Sequence, residues 1–79
     1  MDFLNVRDGL TLLARIRGIY PARIPTLVRT ICSLFLLDPF VDNYIHQLSG
    51  GTKRRLHAAL ALIGWLMVRF FNSFIVFYV

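Results

Sequence analysis

The stretch LSGGTKRR at residues 48–55 places a serine and two adjacent glycines directly before a helical pattern. Apolar residues follow at helical spacing as far as Gly64, so a helix should begin at the glycines. Glycine permits close approach to the backbone, and the free N–H groups and positive dipole end of a helix start attract anions. Ser49 adds a hydroxyl donor. The stretch therefore predicts an anion site suited to a phosphate, with a serine-capped helix after a glycine turn as the plain structural alternative.

A first helix is predicted near the amino terminus. Asn5 is a favoured N-cap residue, and Asp8 stands in the first turn, where an acidic side chain interacts well with the helix dipole. Apolar residues recur behind them at helical spacing, and Gly18 suits the stop. We therefore expect a helix over residues 6–17.

A second helix is predicted after a turn that contains two prolines. Pro25 fits the first helical position, because its missing N–H would have no partner there in any case. The Asp-Pro pair at residues 38–39 ends this helix, since the residue before a proline avoids the α region. Residues 40–47 show no sustained periodicity and predict a loop with one short turn. The expected apolar face consists of Leu27, Val28, Ile31, Leu34 and Phe35.

The segment after Gly64 is almost wholly apolar, and its end at residues 74–79 fits either a buried strand or the continuation of an apolar helix. Residues 56–79 are long enough to cross about 30 Å of hydrocarbon, which makes them a candidate membrane contact. The obstacle is Arg69, because a central arginine costs about 2.5 to 3.5 kcal/mol on insertion scales. A small membrane-anchored protein without catalytic activity is therefore the alternative interpretation.

The length, hydrophobic content and charge of the chain limit the classes of function that it can have. The chain has 79 residues, is 57% hydrophobic and carries a net charge of +5. A core of this size is marginal alone, so we expect a partner to bury the excess apolar surface. The basic residues are scattered apart from one cluster at 53–55, which argues against nucleic-acid binding.

The remaining reactive side chains form no obvious catalytic group. Cys32 is the single cysteine, so it has no disulfide partner, and we expect it to act as a small buried hydrophobe. His46 and His57 stand eleven positions apart with no thiol or carboxylate at a ligating spacing, so no metal site is predicted. No catalytic residue is assigned.

The glycine stretch in its surroundings resembles one protein family. Residues 48–51 are similar to the signature motif of ATP-binding cassette (ABC) transporter ATPases. The longer run at 49–56 with ALALIG at 59–64 resembles the form found in subfamily A, the lipid-exporter branch. Upstream, residues 10–19 are similar to the helix that follows the Q-loop in that subfamily. The resemblance covers about residues 3–64.

The resemblance implies a role in trans. In the family, the signature segment closes over the γ-phosphate of ATP held by the Walker A loop of an opposing nucleotide-binding domain. Ser49 would donate its hydroxyl, Thr52 stands where many members have glutamine and would act less directly, and Arg55 matches a basic position common across the family. Residues 6–47 would form the helical subdomain that contacts the membrane domains. The implied nucleotide-binding residues are Ser49, Gly50, Gly51 and Thr52.

Several family elements are missing from this chain. It contains no Walker A loop, no Asp-Glu pair after a hydrophobic strand and no switch histidine. We therefore expect the isolated chain to bind no ATP or Mg²⁺ and to be inactive, although the parent family is an ATPase that uses both. The sequence after Gly64 departs from the family pattern, which predicts a truncated or misassembled gene product.

The predicted fold class is thus mainly α: a three-helix fragment, comprising the helical subdomain and the signature helix, of an α/β P-loop ATPase domain with an apolar C-terminal tail. Residues 1–64 are assigned to the partial nucleotide-binding domain and residues 65–79 to the tail. The implied partners are the opposing nucleotide-binding domain and the transmembrane domains of the transporter. The implied location is the cytoplasmic face of a membrane.

Overall fold

The computed structural model describes residues 3–78, with side chains for residues 3–65. Three α-helices make up most of residues 3–78, and short 3-10 turns connect them. No strand occurs within residues 3–78, where an isolated bridge joins Asn5 to Tyr44. The predicted mainly helical architecture is confirmed. The helices are α1 (Val6–Ile16), α2 (Ile24–Leu34) and α3 (Gly50–Tyr78), and the turns span Pro21–Arg23, Asp38–Phe40 and Ile45–Gln47.

Helix α1 begins at Val6 as predicted and ends at Ile16, one residue before the predicted end, with Arg17 as its C-cap. The Asn5 side-chain oxygen accepts a hydrogen bond from the N–H of Asp8 at 2.7 Å, which satisfies one of the free donors of the first turn. At the other end, Gly18 takes a φ of +83°. The N–H groups of Gly18 and Ile19 donate to Arg15 at 3.0 Å and Ala14 at 3.0 Å. This pair of bonds is a Schellman motif with glycine in its left-handed position.

Helix α2 includes Pro25 in its first turn, as predicted, and begins one residue earlier. Its buried face differs in part from the expected one. Val28 and Ile31 are buried as predicted, but Leu34 is 67% exposed. Cys32 is only 1% exposed, so its predicted role as a small buried hydrophobe is confirmed. The prediction for Leu34 was wrong because α2 ends at this residue and the chain then turns away.

The turn after α2 explains the shift of its apolar face. Leu36 adopts a φ of +57°, and its N–H donates to the Ser33 carbonyl at 3.3 Å. The N–H of Leu37 donates to the Cys32 carbonyl at 2.8 Å. Helix α2 therefore also ends in a Schellman motif, but with leucine in the left-handed position. The motif turns Leu37 fully into the core and leaves Leu36 67% exposed.

The segment between α2 and α3 crosses the start of α1. The N–H groups of Val6 and Arg7 donate to the carbonyls of Asn43 and Val41, each at 3.1 Å. The N–H of Ile45 donates to the Leu4 carbonyl at 3.0 Å. The first two bonds satisfy free donors of the α1 first turn, and all three fix the path of the chain toward α3.

Helix α3 packs its apolar face mainly against α1. It continues through Gly64 to Tyr78, because a single glycine weakens a helix by about 1 kcal/mol without ending it. Across the part of the chain that the structure describes, no helix combines the length and the hydropathy needed to span a membrane. The shared core consists of Val6, Leu10, Ala14, Ile24, Val28, Ile31, Cys32, Leu37, Ile45, Leu48, Leu56, Ala59 and Ile63.

Candidate functional site

The candidate site is the first turn of α3. Ser49 precedes the helix and caps it, because its Oγ accepts a hydrogen bond from the N–H of Thr52 at 3.3 Å. The Ser49 carbonyl accepts the N–H of Lys53 at 2.9 Å, which starts the helical hydrogen-bond ladder. Gly50 and Gly51 occupy the first two helical positions, whose N–H groups have no partner inside the helix. Two backbone donors and one hydroxyl therefore converge at this end of α3.

A chain of side-chain hydrogen bonds holds the serine. The Ser49 hydroxyl donates to Thr52 Oγ1 at 3.0 Å, and the guanidinium of Arg55 donates to the same oxygen at 3.2 Å. A second nitrogen of Arg55 donates to the Leu36 carbonyl at 3.1 Å, and its guanidinium carbon lies 5.8 Å from the centre of the Phe40 ring. This separation is within cation–π range. The serine is thus linked through two side chains, those of Thr52 and Arg55, to the turn that ends α2.

The two glycines of the site are exposed and have open space around them. A Cβ atom added at Gly50 or Gly51 would have no neighbour within 4 Å. Neither residue has a positive φ, so the backbone conformation does not require glycine. Packing and backbone geometry therefore give no reason, within the described residues, for glycine at these two positions.

The electrostatics of the site favour an anion. Helix α3 contains no acidic residue in its first turn, and the positive end of its dipole lies there. Lys53 and Arg54 follow directly, and Arg54 is exposed. The residues of this turn therefore offer donors and positive charge, with no carboxylate that could bind a cation.

The structure keeps the four predicted nucleotide-binding residues together but gives them different environments. Ser49, Gly50 and Gly51 are exposed, whereas Thr52 is only 4% exposed and its hydroxyl is already bound by Ser49 and Arg55. Thr52 therefore has little surface for a ligand in this arrangement.

The structural roles of Leu36, Phe40 and Arg55 were not predicted. The family pattern marks Arg55 as a basic position, but its contact with the Leu36 carbonyl spans 19 residues of sequence. A left-handed leucine gives no local sequence signal, because glycine or asparagine is the usual residue there. Phe40 and Arg55 are also far apart in the sequence, so no local pattern predicts the contact between them.

Neither histidine takes part in the hydrogen bonds that link Ser49, Thr52, Arg55 and Leu36. His46 stacks on Tyr44, with ring centres 5.7 Å apart and an angle of 17° between the rings, and His57 is exposed on α3. Among the residues that the structure describes, no group of three potential metal-ligating side chains occurs.

Curated proteins similar to this chain are ABC transporters of subfamily A. The human "Phospholipid-transporting ATPase ABCA3" is 35% identical over 73 residues, which is 92% of this chain. The human "ATP-binding cassette sub-family A member 10" is 36% identical over 63 residues, or 80% of the chain. The mouse "ABC-type organic anion transporter ABCA8B" is 36% identical over 63 residues, also 80% of the chain. In each case the chain spans 4% of the length of the relative.

These similarities relate the chain to a short segment of subfamily A transporters. No family model matches it, and no solved structure is significantly similar. The match to ABCA3 also extends past Gly64, because any continuous stretch of 73 residues in a chain of 79 includes residues 7–73. The similarity is therefore spread over all three helices.

Proposed function

We propose that the chain acts as the helical subdomain and signature motif of a subfamily A nucleotide-binding domain. The observation that carries this proposal is the open space around Gly50 and Gly51 beside the capped Ser49. Glycine serves no purpose there that the fold of the chain explains, so a ligand from outside the chain is the better reason. The similarity to subfamily A transporters supports the same role for this segment.

The ligand in this proposal is the terminal phosphate of ATP, bound by an opposing nucleotide-binding domain. The N–H groups of Gly50 and Gly51 bind phosphate oxygens, and the Ser49 hydroxyl turns from Thr52 toward the same group. Thr52 then keeps its bond from Arg55, so no buried polar group is left unpaired. Ser49, Gly50 and Gly51 touch the nucleotide, while Thr52 and Arg55 position the serine.

Magnesium belongs to the opposing half of the site in this proposal. Mg²⁺ prefers carboxylate and phosphate oxygens in octahedral geometry. The first turn of α3 has no acidic side chain, whereas its free N–H groups fit a phosphate. The residues of this chain therefore suit the nucleotide's phosphate and not its metal ion.

The rest of the chain is proposed to transmit the state of this site. Residues 6–47 form the surface toward the membrane domains, and the hydrogen-bond chain from Ser49 to Leu36 connects that surface to the nucleotide. The transported substrate is proposed to be a phospholipid, following the name of ABCA3, although ABCA8B is named for organic anions. The division of the chain at residue 64 stays a prediction, as does its location at the cytoplasmic face of a membrane.

The test is a chimera in which this chain replaces the matching segment of human ABCA3. Purified chimera in lipid vesicles should hydrolyse ATP, and Ser49→Ala should lower the rate at least about tenfold, the loss expected when one oxyanion donor is removed. His57→Ala, at an exposed position of α3 outside residues 6–47, is the control and should leave the rate unchanged. A folded chimera without ATPase activity, or an unaffected Ser49→Ala variant, would contradict the proposal.

The isolated chain provides a second test. We expect the purified 79-residue chain to release no phosphate from ATP, because it supplies one half of a composite site. Phosphate release above a buffer blank would show that the chain carries catalytic residues of its own.

A further inference from the structure

A second site lies between α1 and α2, apart from the first turn of α3. It is a partly open pocket of about 460 Å³, within the range of about 300 to 1,000 Å³ that is usual for small-molecule sites. Both helices and the segment after α2 contribute to its lining, and no residue of 48–55 takes part. A ligand here would therefore be different from the phosphate proposed for Ser49.

The polar part of the pocket is positively charged. Three arginines line it, from α1 (Arg7, Arg15) and from α2 (Arg29), against a single carboxylate from Asp38. Arg7 forms an exposed ion pair with Asp42 at 2.8 Å. Arg15 and Arg29 are exposed and form no ion pair within residues 3–65. Two guanidinium groups are thus available, and guanidinium binds phosphate and carboxylate through paired hydrogen bonds.

Apart from Thr11, the remaining wall of the pocket is apolar. Ile24 and Val28 are 3% and 5% exposed, and Cys32 is 1% exposed. Burial, together with the nearby Asp38 carboxylate, raises the pKa of the Cys32 thiol, so this wall carries no thiolate near neutral pH. Aliphatic carbons in contact with this wall would leave water, which favours an apolar ligand body.

We propose that this pocket binds a small anionic amphiphile: an acyl chain that ends in a phosphate or carboxylate group. The acid group binds Arg15 and Arg29, and the chain lies against Ile24 and Val28. A free inorganic anion would leave the apolar wall wet, and an uncharged lipid would leave the arginines without a partner. The combination of unpaired guanidinium groups and an apolar wall thus selects both parts of the ligand.

The test uses the full 79-residue chain with labelled methyl groups. The probe is a short-chain monoacylglycerol phosphate, kept below its critical micelle concentration. Saturable shifts at the Ile24 and Val28 methyls, without comparable shifts at Leu56 and Ile63, which lie in α3 and are buried in the core, are the expected result. The same monoacylglycerol without phosphate, and inorganic phosphate alone, should each bind at least about tenfold more weakly.

Matched variants separate the pocket from the general positive charge of the chain. Arg15→Gln with Arg29→Gln should weaken binding at least about tenfold. Arg17→Gln with Arg54→Gln removes the same charge from exposed residues outside the pocket and should have little effect. Circular dichroism of both double variants confirms that each remains helical.

A further arm identifies the source of the ligand. Phosphatidylcholine vesicles with added phosphatidate, compared with vesicles of phosphatidylcholine alone, show whether the pocket also takes the anionic group from a membrane. Equal loss of binding in both double variants, equal binding of inorganic phosphate, or methyl shifts away from Ile24 and Val28 would each overturn the proposal. Saturation of the pocket by an acidic helical peptide, without any binding of the acyl phosphate, would overturn it as well.

Discussion

The Arg55 guanidinium donates a hydrogen bond to the Leu36 carbonyl at 3.1 Å, which joins the start of α3 to the end of α2. The same side chain donates to Thr52 Oγ1 at 3.2 Å, and Thr52 in turn accepts from the Ser49 hydroxyl. A planar guanidinium can serve both acceptors at once, whereas a lysine ammonium is a compact point charge. The position of the serine hydroxyl therefore depends on a turn that lies far from it in the sequence.

This dependence predicts energetic coupling between Ser49 and Arg55. Ser49→Ala should lower the free energy of unfolding by about 1 kcal/mol through loss of the N-cap. Arg55→Lys should lower it by about 1 kcal/mol because lysine cannot replace both hydrogen bonds. The loss in the double variant should differ from the sum of the two single losses by about 0.5 kcal/mol or more. All three losses are measured by urea unfolding. Arg54→Lys is the exposed control, and strictly additive losses for the first pair would show that no coupling exists.

The open space at the glycines predicts that alanine is tolerated there by the isolated chain. Gly50→Ala and Gly51→Ala should leave its stability unchanged or raise it by up to about 1 kcal/mol, since alanine favours the helix. In the ABCA3 chimera the same changes should lower ATP hydrolysis, because the added methyl group occupies the space of the phosphate. Gly18→Ala is the control for the unfolding measurement. It should destabilise the chain by about 1 kcal/mol or more, because Gly18 has a φ of +83°.

The left-handed leucine predicts a stabilising substitution. Leu36→Gly should raise the free energy of unfolding by about 0.5 to 1 kcal/mol, since glycine adopts a φ of +57° without steric cost and the exposed side chain contributes little burial. Leu34→Gly is a matched control, because Leu34 is equally exposed at 67% but helical. It should lower stability by about 1 kcal/mol in the same urea titration. Destabilisation of similar size by both changes would contradict the left-handed conformation of Leu36.

The buried thiol predicts a loss of stability at alkaline pH. Burial, followed by the Asp38 carboxylate, raises the pKa of Cys32 above its ordinary value of 9.0, while Arg7 lowers it. The native state thus holds the thiol proton more tightly than the unfolded chain does. Its contribution is fully present below the ordinary pKa and is lost as the pH rises through the native pKa.

The measurement is the free energy of unfolding between about pH 8 and about pH 11, a range in which an ordinary thiol titrates. Cys32→Ala should show a smaller fall over this range, although it is less stable near neutral pH because it leaves a small cavity. Identical slopes for the two proteins would mean that the thiol titrates alike in the native and unfolded states.

Local signals in the sequence predicted α1 and the start of α3 well. Asn5 and Asp8 act on the first turn of α1, and Gly18 acts on its last turn. Each interaction is local, so the residue types alone largely determine where this helix begins and ends. Ser49 likewise caps the helix that follows it. Agreement between these local preferences and the final fold is what makes such elements predictable.

The end of α2 depended on contacts that no local pattern contains. The sequence placed Leu34 in the core, but the turn at Leu36 exposes it and buries Leu37 instead. That turn has an unfavourable residue for its conformation, and the fold compensates through the burial of Leu37 and the bond from Arg55. The prediction of the core was therefore wrong at Leu34, where tertiary contacts outweigh the local helical pattern.

The candidate site likewise has one part that the sequence predicts and one part that it does not. Its donors could be predicted, since serine, glycine and a helix start are adjacent in the chain. The inward orientation of Thr52 could not, because it depends on the partner that Arg55 finds 19 residues away. The pocket between α1 and α2 also escaped prediction, since its arginines come from two helices whose relative placement the sequence does not encode locally.

The bond between the Leu4 carbonyl and the Ile45 N–H brings together two points that are forty-one positions apart along the chain. The two ends of the helical unit between them therefore lie side by side. Units with adjacent ends can be accommodated within a loop of a host domain without displacing the host's own strands. Because Leu56, Ala59 and Ile63 of α3 belong to the core of this unit, a change in its orientation would carry the start of α3 with it, while the interior remained intact.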